Sequence, residues 1–117
     1  MGKVLVVDDN KELANDLVEI LTAEGHQARA AYGGQHALET AEQYEYDAAL
    51  VDIRMPDMDG VALVGKLMKT HPTQAYLFMT AYSESRTLSE AMALSTRAVL
   101  EKPLDIARVC RLVSAAC

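Results

Sequence analysis

The stretch YDAALVDIRMPDMDGVALVGKLMKT, residues 46–70, changes its hydrophobic rhythm halfway along. Its opening, YDAALVD (46–52), is a short apolar run that ends on an acid, Asp52. A run of that length and kind reads as a strand buried on both faces. Pro56 and Gly60 punctuate the turn that follows. VALVGKLMKT (61–70) then reads as a helix, stopped by the His71–Pro72 pair because a residue before proline is pushed out of helical geometry. Asp52, Asp57 and Asp59 all fall in this one segment. Some of these carboxylates do chemistry and others shape a loop.

The same strand-then-helix rhythm recurs on either side. KVLVV (3–7) is a Val-rich buried strand. Asn10 stands where a helix cap is wanted, ahead of an apolar stripe at Leu13, Leu17, Ile20 and Leu21 that Gly25 ends. HQARAA (26–31) is a weak, Ala-rich second strand, and GGQHALETAEQY (33–44) gives the second helix. AYLFMT (75–80) is the fourth strand and SESRTLSEAMAL (83–94) a fourth helix with Ser83 as its cap. AVLEK (98–102) is the fifth strand. LDIARVCRLVSAA (104–116) closes the series as a helix, with Leu104, Val109, Leu112 and Val113 along one drifting face. Alternation of this kind predicts an α/β fold with a parallel sheet covered by helices on both faces. For five strands the expected order is 2-1-3-4-5, the flavodoxin-like (βα)5 arrangement, over a single domain spanning 1–117.

Composition removes several functional classes. Net charge is −6, which argues against a domain that binds nucleic acid through its own charge. No apolar stretch approaches a membrane span, and MGKVLVVDDN carries acids where a signal peptide needs an apolar core. Val6 also breaks the myristoylation pattern, so the expected address is cytoplasmic. Cys110 and Cys117 are too few for a disulfide framework and read as small apolar residues near a chain end. His26, His36 and His71 lack metal-ligand spacing and read as surface residues. Tyr44 and Tyr46 read as packing around the approach to the third strand.

Ligands of open α/β sheets bind beyond the carboxyl ends of the strands, at the switch point of strand order. Strand one ends in Asp8-Asp9, strand three in Asp52, strand four in Thr80 and strand five in Lys102. The expected order makes strands one and three neighbours, so three carboxylates converge beside a hydroxyl and an ammonium. Two like charges about 5 Å apart cost about 3 kcal/mol at an effective dielectric near 20. A divalent ion relieves that repulsion, and an all-oxygen site with few protein ligands suits Mg²⁺, which commonly shares its shell with phosphate oxygens. Lys102 offers a point charge and Thr80 a donor for such oxygens. A carboxylate can itself attack phosphorus to form an aspartyl phosphate. Asp52 stands alone on its strand and is the best candidate nucleophile, with the tandem Asp8-Asp9 left to hold the ion.

VLVVDDN (4–10), YDAALVDIRMPDMDG (46–60), FMTAYSE (78–84) and LEKPLD (100–105) together resemble the receiver domains of two-component response regulators, over essentially the whole chain. The resemblance implies that Asp52 accepts a phosphoryl group from a sensor histidine kinase or phosphotransfer protein. It implies Mg²⁺ held by Asp8, Asp9, Asp52 and the backbone carbonyl of Arg54. Thr80 would sense the phosphoryl group, Lys102 would pair with it, and the Lys102–Pro103 peptide would be cis. Asp57 and Asp59 are then left to shape and solvate the loop. The implied output is a conformational switch acting on a downstream partner, or on an effector domain in a longer chain. A homodimer through the fourth helix, fifth strand and fifth helix is one assembly it allows.

The sequence departs from the family pattern at Val99, where receivers usually carry Tyr or Phe three residues before the lysine, and at Ser95-Thr96, where Gly-Ala is common. These departures put the usual threonine–aromatic coupling in doubt and leave open a receiver-shaped interaction domain that phosphorylation does not switch. Arg54 and Tyr82, two residues after Asp52 and Thr80, occupy positions that in this family set the lifetime of the phosphoryl group. A Mg²⁺-dependent phosphatase with an aspartate nucleophile would present a second acid two residues on, where this chain has Arg54. A dinucleotide site would want glycine after strand one, where DDNKE (8–12) has none.

Overall fold

Four successive residues of β1 (Lys3–Val7), Val4 to Val7, are fully buried, so this strand is covered on both faces. The computed structural model describes residues 2–81 and 97–117. Its elements are β1, α1 (Lys11–Ala23), β2 (Gln27–Ala31), α2 (Gly34–Gln43), β3 (Ala48–Asp52), α3 (Gly60–Thr70), β4 (Ala75–Thr80), β5 (Ala98–Glu101) and α4 (Ile106–Ala116). The five strands are all parallel, in the order β2-β1-β3-β4-β5. The α/β reading and its strand order therefore hold. The helix expected over 83–94, its cap at Ser83, and Tyr82, Ser95 and Thr96 lie outside the described residues.

Strand residues alternate between two cores, as a two-residue period requires. Val4, Val6, Ala48, Leu50, Leu77, Met79 and Leu100 face a core completed by Leu17 and Leu21 of α1 and Val109 and Val113 of α4. Leu5, Val7, Ala49, Val51, Tyr76 and Phe78 face a second core, completed by Ala37 and Ala41 of α2 and Leu63, Val64 and Leu67 of α3. Each fully buried Leu or Val side chain contributes about 1.5–3 kcal/mol of transfer free energy. Val99 is a partly buried member of the α2/α3-side core.

Local signals set the helix ends. The Asn10 side chain accepts the Leu13 N–H, Asp59 accepts the Val61 N–H, and Asp105 accepts the Arg108 N–H. Helix α1 runs out at Glu24, and Gly25 follows with φ 97°.

His26 corrects the surface reading of the histidines. It is 5 % exposed, its Nδ1 accepts the Gly2 N–H, and its Nε2 shares a hydrogen bond with Ser114 Oγ. The ring ties the start of β1 to the last turn of α4. Tyr46 and Tyr76 are also buried, joined through their hydroxyls at 2.8 Å, with Tyr76 donating on to the His71 carbonyl.

Candidate functional site

Strand parity explains how distant side chains meet. Val7 pairs with Val51, so one step on Asp8 faces Asp52. Asp8 continues the row Val4, Val6; Asp52 the row Ala48, Leu50; and Lys102 follows Leu100 by two. All three thus keep the parity of the α1/α4 side, while Thr80 takes that of Tyr76 and Phe78. Ladder-type hydrogen bonds hold the backbones there: Asp8 N–H to the Ala31 carbonyl, Ile53 N–H to Met79, and Lys102 N–H to Thr80. The Lys102–Pro103 peptide is cis.

The convergence at one rim is observed. Lys102 Nζ lies 2.8 Å from Asp8 Oδ2 and 3.5 Å from Asp52 Oδ1. Asp8, Asp9 and Asp52 each offer a carboxylate oxygen, all within 4.8 Å of one another. Asp8 is fully buried, Asp52 is 5 % exposed, and Asp9 is exposed. Thr80 is buried at the end of β4, and Arg54 is exposed two residues after Asp52.

The electrostatics follow from this crowding. Burial first, then the charge of Asp8, pushes the Asp52 carboxyl up from 3.8 to about 6, although Lys102 pulls the other way. Burial alone would lower the Lys102 ammonium; its bond to Asp8 and the charge of Asp52 outweigh this and raise it. Asp8 divides its two oxygens: Oδ1 accepts the Asn10 N–H at 2.9 Å and Oδ2 takes Lys102. Among the described residues, the Lys102 ammonium stands against the three carboxylates of Asp8, Asp9 and Asp52, a donor set of hard oxygens. That set fits a divalent cation such as Mg²⁺.

Asp57 and Asp59 do more than shape and solvate their loop. Asp59 caps α3. Asp57 reaches 22 and 23 residues back, accepting the Gly34 N–H at 3.1 Å and the Gln35 N–H at 3.0 Å. Those amides belong to the first turn of α2, whose own N-cap, Gly33, has no side chain to offer. Sequence reasoning missed this contact; the glycine pair ahead of α2 was its one visible signal.

The family model described as "Response regulator receiver domain" matches residues 4–114. A response regulator receiver protein of Anaeromyxobacter sp. is 39% identical over 109 residues, which cover 93% of this chain and 46% of that protein. The transcriptional regulatory protein ZraR of Escherichia coli is 36% identical over 102 residues, covering 87% of this chain and 23% of ZraR. This chain therefore spans less than half of each of these relatives. A Francisella response regulator receiver domain superposes with a TM-score of 0.90 at 26% identity, covering 99% of this chain and 96% of that one. A CheY-like receiver domain from Methanospirillum hungatei, at 24% identity and a TM-score of 0.93, shares the fold over 98% of this chain and 92% of its own. Matched from its first strand to its last helix, the chain belongs to the response regulator receiver domain family, a family of signalling domains.

Proposed function

We propose that residues 1–117 form one phosphoacceptor domain, in which Asp52 takes a phosphoryl group from a histidine kinase or phosphotransfer protein. The observation that carries this is the position of Asp52: buried at the end of β3, 3.5 Å from Lys102 Nζ, with Asp8 and Asp9 oxygens within 4.8 Å. An Asp52 carboxylate oxygen forms the new bond to phosphorus as the bond from phosphorus to the donor's nitrogen breaks. The electron pair leaves on the imidazole, which takes a proton. Asp8, Asp9, Asp52 and the Arg54 backbone carbonyl would hold Mg²⁺, which when bound neutralises charge on the phosphoryl oxygens. Lys102 pairs with a phosphoryl oxygen once Asp8 is otherwise satisfied, and the Thr80 hydroxyl donates to another. The domain turns over no other substrate beyond its own phosphorylation and dephosphorylation.

The names and lengths of the relatives support an output through an effector domain in a longer chain. The cytoplasm is the proposed place of work; no helix among the described residues is long and apolar enough to cross a membrane. The proposal includes a homodimer through the helix expected over 83–94, which lies outside the described residues, together with β5 and α4. Val99, packed as a modest aliphatic member of the α2/α3-side core, favours one second reading: an interaction domain that phosphorylation leaves unswitched.

The test is incubation with Mg²⁺ and acetyl phosphate, followed by intact mass. One phosphoryl group is expected, and none on Asp52→Ala. An unchanged mass with Mg²⁺ demonstrably bound would rule the phosphoacceptor reading out. A mass gain with no change in amide exchange anywhere in the chain would favour the unswitched reading.

A further inference from the structure

The loop between β3 and α3 is held at two places, with Arg54 between them. At its base the Gly60 N–H donates to the Ile53 carbonyl at 2.7 Å, and the Ile53 N–H donates to Met79 at 3.0 Å. At its tip Asp57 accepts the Gly34 and Gln35 amides of α2. The approach is close at the two glycines that open α2. A Cβ on Gly34 would stand 2.5 Å from Met58 Cβ, and one on Gly33 would stand 3.2 Å from Asp57 Oδ1. The glycine pair makes room for the loop, and Asp57 supplies the cap that Gly33 lacks.

We propose that Asp57 is a positioning residue for the acidic rim: by gripping Gly34 N–H and Gln35 N–H it pins the loop that carries Arg54, and so couples ion binding at Asp8, Asp9 and Asp52 to the first turn of α2. This rests on the proposed role of the Arg54 carbonyl and goes beyond it. The base is held at Ile53 and the tip at Asp57, so Arg54 lies on a short segment anchored on both sides. Ordering those residues in advance removes an entropy cost from ion binding. The coupling is reciprocal by linkage: whatever the grip contributes to ion affinity, the bound ion returns to the grip. The two amides also hold the Asp57 carboxyl below the usual carboxylate range, first through Gln35 and then Gly34, which is the mark of a bond made to the ionised form.

Two measurements on the whole chain test this, neither of them activity. Mg²⁺ is titrated by calorimetry into wild type, Asp57→Ala and Asp57→Asn, and amide exchange is followed by NMR with and without Mg²⁺. In wild type, Mg²⁺ should slow exchange at Gly34 and Gln35. In Asp57→Ala that slowing should vanish and the Mg²⁺ dissociation constant should rise about fivefold or more. Asp57→Asn keeps one acceptor oxygen and should fall between the two, which also carries the test if the alanine variant folds poorly. Equal Mg²⁺ affinity in all three proteins would overturn the proposal, as would a wild type that binds no Mg²⁺. Loss of affinity in the variants, together with a wild type that never gains a phosphoryl group, would sustain the grip while removing the phosphoacceptor reading.

Discussion

Lys102 Nζ sits 2.8 Å from Asp8 Oδ2, an ion pair between residues 94 positions apart in which the acid is sealed from solvent. The ammonium side chain keeps 20% of its exposure and the carboxylate 1%. Removing the cation strands a buried charge, which costs several kcal/mol in a deep site and less at a rim. Lys102→Met should therefore destabilise the Mg²⁺-free protein by about 2 kcal/mol in urea unfolding. Adding Asp8→Asn should recover most of the loss, because the stranded charge is then gone. A double variant no more stable than the single one would place the cost elsewhere.

Asp52 works against the fold when no ion is bound. Its carboxyl lies at about 6 in the folded chain, above its ordinary 3.8. Between those values the folded state keeps a proton that the unfolded chain has lost, so stability falls as pH rises through the window. The slope this group adds reaches about 1.4 kcal/mol per pH unit at most. Asp52→Asn should remove that slope between pH 4 and pH 6 and stabilise the ion-free protein by about 1–2 kcal/mol at pH 7. The check is a pair of stability–pH curves measured in chelator; parallel curves would contradict it.

Mg²⁺ should reverse the penalty. At a hundred times its dissociation constant a ligand specific to the folded state adds about 2.7 kcal/mol. Asp9 is exposed, so Asp9→Ala should leave the ion-free melting temperature nearly unchanged while abolishing most of the Mg²⁺-induced rise. A full rise in the variant would exclude Asp9 from the ion's shell.

Gly60 is the tightest backbone approach in the site. A Cβ there would collide with the Asp52 carbonyl oxygen and stand 2.8 Å from Ile53 Cα, both backbone atoms with little freedom to yield. Gly60→Ala should cost about 3 kcal/mol in urea unfolding and should weaken Mg²⁺ binding as well, since the strain falls on the residue that ends β3. Gly65, which has open space around it, serves as the control: Gly65→Ala in the middle of α3 should stabilise by about 0.5–1 kcal/mol.

The acids show how far local pattern reaches. Asp8 and Asp9 read as an equivalent pair in sequence, yet one is fully buried and the other exposed. Strand parity separates them, but parity is known only once the end of β1 and its neighbours are known. Asp59 was legible in principle as a cap, standing next to the first residue of α3. Asp57 was not, because its partners lie 22 and 23 residues back. His26 misled for a similar reason: a polar residue after Gly25 looks exposed until Gly2 and Ser114 close over it.

Among the described residues, the sequence alone determined the succession of strands and helices, and the polar residue at the end of strands one, three, four and five. Those are properties of runs of about ten residues, written in a period of two or of 3.6 that each segment carries by itself. The tertiary structure decided which helices share a face, which carboxylate is buried and what Asp57 holds. Those depend on register and on through-space contacts between separate segments, and no periodicity along the chain records how far apart two segments come to rest.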